Sequence, residues 1–384
     1  MSDLSVNYAG LKLEHPVMAA AAGLTATVSR MKQAEEAGAS AVSVKSLFES
    51  PIPRRGDPSP HMRIIRHGRG RDAFTLYSYE QAAHMDEQEY AQLIAEAKDA
   101  LTIPVIANID CFSAEALKRY AQMVEEAGAD AIEVKSCPHG EHLMTGGELA
   151  SAVATVSGSV SIPVVAKMPS QLTNPYLTAL DIETKGADAL IMFNRLVGLD
   201  VDPETCRPVM HGSFAGHGGP YDVPYRLRWI AQTYPDTSIP ICGTGGVTTG
   251  EDVAKYILVG ASAIQLATAA IVEGYGAFGR IVDEFSAWMQ RGGHENLNDI
   301  RGLAIDKMLS MEEVDRTQTM RAIIRPKICT SCGRCHRVCI YTGVNEIPGD
   351  PQPSYETNVN CVGCGLCEQL CPADAIYLQP PESE

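Results

Sequence analysis

Residues 103–135 read IPVIANIDCFSAEALKRYAQMVEEAGADAIEVK, and this stretch carries the clearest fold signal in the chain. An apolar run after Ile103-Pro104 leads into an amphipathic segment, Ser113–Ala127, with Ser113 as the expected N-cap. Gly128-Ala129-Asp130-Ala131 then opens a second apolar run. Glycine favours the end of a helix, and proline is tolerated at the first position of a strand. The stretch therefore predicts one β/α/β unit of a parallel sheet.

The two short motifs of this unit, the one that ends a helix and the one that begins a strand, recur along the chain. Gly-Ala-x-Ala returns at residues 38–41, 186–189 and 260–263, and Ile-Pro-Val or Ile-Pro-Ile at 162–164 and 239–241. The pattern predicts strands near 16–21, 41–45, 103–109, 131–135, 162–168, 188–194, 239–243 and 262–267. Eight such units in about 290 residues indicate an α/β fold, a (β/α)8 TIM barrel. An open doubly wound sheet is the alternative, but no G-x-G-x-x-G follows the first strand.

Eight of the twelve cysteines lie in the last 56 residues, as two copies of C-x2-C-x2-C-x3-C. This spacing is typical of ferredoxins that hold two [4Fe–4S] clusters, in which the fourth cysteine of each run binds the other cluster. Zinc needs only two C-x2-C pairs and disulfides need an oxidising compartment, so both fit less well. The predicted metal ligands are Cys329, Cys332, Cys335 and Cys371 for one cluster, and Cys361, Cys364, Cys367 and Cys339 for the other.

These signals divide the chain into three predicted segments. A barrel domain is expected over 1–290, a charged helical connector over 291–326 and a small ferredoxin-like domain with two clusters over 327–384. Residues 48–85, after the second strand, are predicted as a long polar loop.

The composition narrows the functional classes. A content of 45% apolar and 20% charged residues is ordinary for a globular protein. A formal net charge of −16 argues against nucleic acid and against an anionic membrane surface. The N-terminus has neither a basic start nor an apolar core, and no stretch is apolar enough to span a bilayer. We therefore expect a cytoplasmic protein without membrane association.

The strand ends carry the candidate chemistry, because barrel enzymes place their sites there. Lys45-Ser46 ends the second strand, Asn108 lies near the end of the third, and Lys167 and Asn194 end the fifth and sixth. Thr244, Gly245 and Gly246 after strand seven, with Ala267 and Thr268 after strand eight, predict a phosphate site of bare backbone N–H groups and a hydroxyl.

Lys45 and Lys167 are expected to face each other across the barrel mouth. Either could be a Schiff-base nucleophile, or both could hold a reduced flavin anion. Iron–sulfur clusters transfer single electrons whereas most organic substrates take two, and a flavin converts one into the other. FMN, whose phosphate suits the strand-seven site, is therefore the predicted cofactor. Cys137, after strand four, is either a small buried hydrophobe or a proton donor and acceptor.

Together these residues resemble the dihydroorotate dehydrogenase-like flavoproteins, and in particular the dihydropyrimidine dehydrogenase branch. In that branch an FMN barrel is followed by a two-cluster ferredoxin domain. The resemblance covers essentially the whole chain. It is carried by the two cysteine runs and by His15-Pro16-Val17-Met18-Ala19-Ala20, Val44-Lys45-Ser46, Ser136-Cys137-Pro138-His139-Gly140, Ala166-Lys167, Phe193-Asn194, Gly245-Gly246-Val247 and Gln265–Ala269.

The resemblance implies an oxidoreductase acting on CH–CH groups. It would reduce or form a polarised C=C bond in a small, possibly cyclic, substrate such as a dihydropyrimidine. The expected catalytic residues are Cys137, which would protonate a substrate carbon, Lys45 and Lys167. The expected FMN contacts are Ala20, Ala21, Gly23, Lys45, Ser46, Asn108, Lys167, Asn194, Gly212, Ser213, Gly216, Thr244, Gly245, Gly246, Ala267 and Thr268.

The chain departs from the family pattern at strand four. The segment from Glu133 to Cys137 is one residue short of the family's Asn-x-Ser-Cys-Pro and lacks the asparagine that binds pyrimidine. Lys135 adds a cation near the pocket, which could suit an anionic or carbonyl-bearing substrate. Tyr77 and Tyr79 are expected to line the pocket.

The expected partners follow from the lack of an NAD(P)H-binding motif in the barrel. A separate FAD/NAD(P)H-binding reductase subunit or a ferredoxin is expected to exchange electrons with the clusters, in a homodimer or heterotetramer. The alternative function is a flavin and iron–sulfur electron-transfer or adaptor subunit without a substrate of its own. A Schiff-base lyase with a regulatory ferredoxin tail is a third, weaker hypothesis.

Overall fold

The computed structural model describes residues 2–49, 61–66, 73–79, 85–111, 113–135, 145–209, 214–314 and 320–380. It divides into two compact units, with the division between Lys307 and Met308. We refer to them as the barrel unit and the cysteine unit.

Eight parallel strands form the centre of the barrel unit. They are β1 (Val17–Ala19), β2 (Val42–Ser43), β3 (Val105–Asp110), β4 (Ala131–Lys135), β5 (Val164–Lys167), β6 (Ala189–Met192), β7 (Ile241–Thr244) and β8 (Ala261–Leu266). Each strand pairs with the next, and β8 pairs with β1, which closes the barrel. Nearly all their residues are buried, as parallel strands covered on both faces require. The predicted (β/α)8 barrel is confirmed.

Helices surround these strands. They are α1 (Val28–Glu36), α2 (Glu87–Ala100), α3 (Ala114–Glu126), α4 (Gly146–Ser157), α5 (Pro175–Thr184), α6 (Val223–Thr233), α7 (Gly250–Leu258), α8 (Thr268–Glu273) and α9 (Ala277–Gly292). Ser113 caps α3 as predicted, because its Oγ accepts a hydrogen bond from Ala116 N at 3.2 Å. Gly128 has a φ of 92°, which explains the glycine of the repeated phrase.

The region predicted as a long polar loop contains strands. His61–Arg66 and Phe74–Tyr79 form an antiparallel hairpin, which continues through Ala215–Gly218 to Leu196–Gly198. We call these four strands the cap sheet. The loop prediction is wrong for these residues, because half of the sheet comes from a segment far along the chain and no local pattern announces that pairing. A further short strand, Leu47–Phe48, pairs with the end of β3.

The segment predicted as a helical connector also differs. The helix α9 ends at Gly292, where Gly293 takes a left-handed φ of 68°. Among the described residues, 3₁₀ turns follow at Leu297–Asp299 and Ile305–Lys307, and a strand follows at Arg321–Ile324. Glycine in this conformation ends helices readily, and the charged composition of the segment did not reveal the break.

The cysteine unit has little secondary structure. Arg321–Ile324 pairs with Ile376–Gln379, and Val344–Ile347 pairs with Ser354–Thr357, both antiparallel. Two short helices, α10 (Arg334–Val338) and α11 (Leu366–Gln369), lie between these strands in the chain. Its buried core consists of Ala322, Cys335, Val344, Tyr355 and Ile376.

Smaller elements complete the barrel unit. Hairpins join Val6–Tyr8 to Leu11–Leu13 and Val201–Asp202 to Arg207–Pro208, and 3₁₀ turns lie at Gly23–Thr25, Pro220–Asp222 and Tyr234–Asp236. Within the described ranges, no helix is both long and apolar enough to cross a bilayer.

Candidate functional site

A cavity of about 430 Å³ lies at the carboxyl ends of the barrel strands. Residues at or just beyond the ends of all eight strands contribute to its wall, together with the cap sheet. The predicted cofactor contacts in the wall are Ala20, Ala21, Lys45, Ser46, Asn108, Lys167, Asn194, Gly216, Thr244, Gly245, Gly246, Ala267 and Thr268. Strand ends scattered through the sequence thus meet in one place, as expected for a barrel.

Four other predicted residues lie elsewhere or cannot be placed. Gly23 begins a 3₁₀ turn, its carbonyl accepts a hydrogen bond from Arg30, and it does not line the cavity. Gly212, Ser213 and Cys137 lie outside the described residues.

Two lysines of the wall are buried, and a carboxylate lies beneath one of them. Lys45 and Lys167 are 6% and 7% exposed, although lysine is rarely buried this completely. Lys167 Nζ donates to Glu133 Oε1 at 2.7 Å and to Gln265 Oε1 at 2.9 Å. Glu133 is completely buried on β4. A buried charge of this kind is tolerated only when it is paired and hydrogen-bonded.

Glu133 receives hydrogen bonds from four different strands. Besides Lys167, Asn108 Nδ2 donates to Oε1 at 2.6 Å, while Ser43 Oγ and Gln265 Nε2 donate to Oε2 at 2.6 and 2.8 Å. Burial acts to raise the pKa of Glu133, but the Lys167 ammonium and these donors outweigh it and hold the pKa below its ordinary value. Glu133 is therefore an anion that holds Lys167, Asn108 and Gln265 in place. We call Glu133 and its four donors, Ser43, Asn108, Lys167 and Gln265, the Glu133 network.

The sequence reading named Glu133 only as part of a departure from a motif. A usable signal was present, since Glu133 is a single acidic residue within an apolar strand, between Ile132 and Val134. Such a residue must point into the barrel and find partners there.

Asn108 provides a test of whether a cofactor fits this cavity. Its amide nitrogen is held by Glu133, but its Oδ1 is buried and has no hydrogen-bond partner. An unsatisfied buried acceptor costs about 1–3 kcal/mol. Because Asn108 lines the cavity, a ligand with an N–H group at this wall would remove the cost, and the isoalloxazine ring of FMN has such a group.

The loop after β7 fits a phosphate. Gly245 and Gly246 have φ values of 92° and 72°, which side chains rarely adopt. A Cβ at Gly245 would lie 2.3 Å from Arg226 Nε, and one at Gly246 would lie 2.8 Å from Gly219 O, so side chains do not fit at either position. The loop therefore presents bare backbone to the cavity, as phosphate recognition requires.

Arg226 on α6 supports this loop and was missed from sequence. It is 1% exposed and pairs with Asp222, and its Nη1 and Nη2 donate to the carbonyls of Phe193 and Asn194 at 3.1 and 3.3 Å. Its Nη1 also donates to Thr244 Oγ1 at 3.5 Å, so Arg226 joins the end of β6 to the end of β7. Arg226 lies on a surrounding helix, whereas the sequence analysis looked for site residues only at the ends of strands.

Lys135, which the sequence predicted as an additional cation of the pocket, is paired with a carboxylate in the structure. Lys135 Nζ forms an ion pair with Asp110 Oδ2 at 2.7 Å and lies 5.2 Å from the centre of the Phe48 ring. All three residues line the cavity. The charge of Lys135 is therefore compensated by a neighbouring strand.

The tyrosine prediction for the cap sheet is wrong for Tyr77. Leu76 and Ser78 line the cavity, whereas Tyr77 stacks on His217 with ring centroids 5.1 Å apart. Alternate residues of a strand face opposite sides, so Tyr77 points away from Leu76 and Ser78. The side chain of Tyr79 lies outside the described structure.

In the cysteine unit, the eight cysteines form two groups of four. One small cavity is lined by Cys329, Cys332, Cys335 and Cys371, and a second is lined by Cys339, Cys361, Cys364 and Cys367. Each group takes three cysteines from one run and the fourth from the other, which is the predicted exchange.

Backbone N–H groups point at these sulfurs. The sulfurs of Cys329, Cys339, Cys361 and Cys371 accept hydrogen bonds from Ser331, Gly343, Ala322 and Ala375 over 3.1–3.5 Å. Such donors stabilise thiolates and tune cluster potentials. Four sulfurs around one cavity, with amides directed at them, fit a [4Fe–4S] cluster.

The buried lysines and the glycine loop at the mouth of the barrel, and the two four-cysteine cavities of the cysteine unit, are the features expected of a flavin barrel joined to a two-cluster ferredoxin. The chain belongs to the dihydroorotate dehydrogenase family, whose model matches residues 3–289. The model of the 4Fe-4S dicluster domain matches residues 328–376.

Relatives support this assignment. The catalytic subunit of dihydroorotate dehydrogenase B (NAD(+)) from Thermoplasma volcanium is 30% identical over 80% of this chain and 100% of its own length. The corresponding subunit from Methanosarcina mazei is 31% identical over 79% and 96%. The NAD-dependent dihydropyrimidine dehydrogenase subunit PreA from Escherichia coli K12 is 27% identical over 98% and 95%.

The resemblance seen in the sequence is thus confirmed. The protein is an oxidoreductase acting on CH–CH groups, with FMN and two [4Fe–4S] clusters as cofactors.

Proposed function

We propose that this protein reduces, or in reverse forms, a polarised C=C bond in a small cyclic substrate of the dihydropyrimidine type. Electrons would pass through its two clusters to or from a partner. The observation that carries the proposal is the single cavity in which Lys45, Asn108, Lys167 and the β7 glycines meet. When bound there, FMN would exchange two electrons with the substrate and single electrons with the clusters.

The residues of the wall have distinct roles in this proposal. Gly245, Gly246, Ala267 and Thr268, beside Thr244, would hold the phosphate. Lys167, held in place by its hydrogen bond to Glu133, would lie where negative charge develops on the flavin, and Lys45 would be the second lysine there. Asn108 Oδ1 would accept a ring N–H. The remaining contacts in this proposal are Ala20, Ala21, Ser46, Asn194 and Gly216 of the cavity wall, together with Gly212 and Ser213, which lie outside the described residues.

Cys137 is the proposed acid and base for the substrate carbon. Its role rests on the family motif from Ser136 to Gly140, and it is the part of the mechanism most open to test. Cys137→Ala should slow substrate turnover by about 10²-fold or more, since a positioned proton donor contributes at least that much. Reduction of the bound flavin by dithionite should be unchanged.

Cys206→Ala is the matched control, because Cys206 is an exposed thiol between the strands of the hairpin at 201–208. It should leave turnover at the level of the unmodified enzyme. Full turnover in Cys137→Ala would remove Cys137 from the mechanism.

The two cavities of the cysteine unit support the proposed ligand sets. Cys329, Cys332, Cys335 and Cys371 would bind one cluster, and Cys339, Cys361, Cys364 and Cys367 the other. The clusters would exchange electrons with a FAD/NAD(P)H-binding reductase subunit or a ferredoxin. A homodimer or heterotetramer in the cytoplasm is part of the same proposal.

An adaptor without its own substrate is the second candidate, favoured by the missing asparagine at strand four. The two functions differ in one measurement. The protein is reduced anaerobically and then mixed with uracil, thymine or other cyclic unsaturated carbonyl compounds while flavin absorbance is followed. Reoxidation by any of them supports the enzyme, whereas an adaptor remains reduced with all of them.

A further inference from the structure

The turn after β7 carries two backbone N–H groups that are free to meet a ligand. Gly245 and Gly246, both at positive φ, line the cavity, and within the described residues their N–H groups donate no hydrogen bond. Backbone N–H groups in the interior are nearly always paired. Successive free N–H groups in a turn form a concave donor site for an anion. Such a site requires that both groups be held toward the cavity.

Tyr256, on α7, contacts the same turn from outside the cavity. Its side chain is completely buried. Its Oη lies 3.0 Å from Thr244 O and 2.7 Å from Gly245 O, so the one hydroxyl hydrogen is shared between two carbonyls. Burial raises the pKa of Tyr256 above its ordinary value, and the hydroxyl therefore stays a donor. A Cβ at Gly243 would lie 2.3 Å from Tyr256 Cδ1, so the ring reaches the turn only because residue 243 is a glycine.

These two contacts give the N–H groups a direction. In a trans peptide, the C=O of one residue and the N–H of the next point to opposite sides of the chain. Because the carbonyls of Thr244 and Gly245 point at Tyr256, the N–H groups of Gly245 and Gly246 point away from it. Tyr256 does not line the cavity, whereas both glycines do. The hydroxyl of Tyr256 therefore orients the two free donors toward the cavity.

Arg226 packs against the other side of the turn. A Cβ at Gly245 would lie 2.3 Å from Arg226 Nε, so the guanidinium lies directly on the backbone there. Arg226 donates to Asp222, to two carbonyls at the end of β6 and to the Thr244 hydroxyl, and these contacts use its N–H groups. Arg226 therefore supports the turn, and the donors for an anion are those of the backbone.

We propose that Tyr256 is a positioning residue of the cofactor site. Its hydroxyl holds the N–H groups of Gly245 and Gly246 in the orientation that receives a phosphate, and so makes the protein select FMN over riboflavin, the same flavin without the phosphate. The inference rests on the phosphate site of the proposed function. A hydroxyl that only tied α7 to β7 would stabilise the protein without distinguishing the two flavins.

The test compares the affinities of the two flavins. The full-length protein is freed of flavin by anaerobic dialysis in a chaotropic salt, its iron content is checked, and FMN or riboflavin is added back while the quenching of flavin fluorescence is followed. Tyr256→Phe removes only the hydroxyl. It should raise the Kd of FMN about 10-fold, the contribution of one hydrogen bond, and leave the Kd of riboflavin unchanged. An undiminished preference for FMN, or equal weakening of both flavins, overturns the proposal.

Tyr8→Phe is the matched control. Tyr8 is 1% exposed, its hydroxyl donates to Leu190 O of β6 at 3.3 Å, and it does not line the cavity. The variant makes the same chemical change at an equally buried position, and it should bind both flavins like the unmodified protein. If it loses FMN affinity as Tyr256→Phe does, the effect belongs to any buried hydroxyl and Tyr256 has no special role.

Gly246→Ala separates failure of this inference from failure of the proposed phosphate site. A Cβ at Gly246 would lie 2.5 Å from Val223 Cγ2 and 2.8 Å from Gly219 O, so this substitution displaces the turn itself. It should weaken FMN binding about 100-fold, as expected for lost hydrogen bonds to a charged group, while riboflavin still binds to the folded barrel. If Gly246→Ala loses the preference for FMN and Tyr256→Phe keeps it, only the role of Tyr256 is refuted. If Gly246→Ala keeps the preference, or the unmodified protein has none, the phosphate site of the proposed function is wrong.

Discussion

The cavity of the barrel unit draws on residues from Ala20 to Ile271, whereas each cavity of the cysteine unit takes three of its four cysteines from one short run. The first is supported by a large buried core and by the Glu133 network. In the second, the core cluster among the described residues contains five buried side chains. One site is therefore preorganised by packing, while the other depends on its clusters for much of its stability.

The largest expected effect is the loss of the clusters. Because so small a core stabilises a domain weakly, anaerobic removal of iron with a chelator should unfold the cysteine unit completely. The barrel unit should stay folded and keep its FMN. Limited proteolysis of the treated full-length protein should then cleave only beyond residue 307, and flavin fluorescence should show no release. If the cysteine unit without clusters resists protease as well as the unit with clusters, the proposed difference in stability between the two units is wrong.

The next effect is on the preorganisation of the barrel. Glu133→Gln leaves the Lys167 ammonium without its counter-charge, and breaking a buried pair in this way costs about 3–5 kcal/mol. The free energy of unfolding of the barrel unit, measured in urea, should fall by that amount, and FMN should bind more weakly.

Ser43→Ala is the matched control, because it removes one hydrogen bond to the same carboxylate and leaves the charge pair intact. Its cost should be about 1–3 kcal/mol. A Glu133→Gln protein as stable as Ser43→Ala would show that the carboxylate does not organise the wall.

A smaller effect concerns pH. The pKa of Glu133 in the folded protein lies below the ordinary 4.5, so its stabilising contribution is complete above that value and is lost as pH falls through the lower pKa of the folded state. The unfolding free energy of the barrel should therefore be insensitive to Glu133 above about pH 5 and should decrease below it. In Glu133→Gln this acid-side decrease should be shallower. If the unmodified protein and Glu133→Gln lose stability equally as pH falls, other carboxyl groups cause the acid sensitivity.

The smallest effect tests the surface of the barrel. Ser113→Ala removes the cap of α3 and should reduce the unfolding free energy of the barrel unit by about 1 kcal/mol. FMN affinity should not change, since Ser113 is not part of the cavity wall. A change in affinity would mean that the cavity is less rigid than its packing suggests.

The sequence predicted correctly those features that depend on residues close together in the chain. Four Gly-Ala-x-Ala phrases mark the starts of strands, and Gly245-Gly246 marks the sharp turn after β7, because turns that need glycine appear directly in the chain. The cysteine exchange was also predictable, because a loop of fixed spacing can surround only part of a cluster.

The errors arose where partners are distant in sequence. The hairpin of His61–Arg66 and Phe74–Tyr79 is completed by Ala215–Gly218, and no local pattern joins those segments. Lys135 was interpreted as an additional cation, because its partner Asp110 comes from the preceding strand and meets it only through the register of β3 and β4.

The order of residues alone thus predicted a flavin barrel, two cluster-binding runs and the glycine loop proposed to bind phosphate, since each depends on spacing along the chain. Tertiary structure supplied the ionisation of the Glu133 network and the neutral wall made by Lys135 and Asp110. Those properties depend on which strand ends become neighbours and how completely they are buried. Burial and pairing set the charge of an ionisable group, and neither can be read along a single strand.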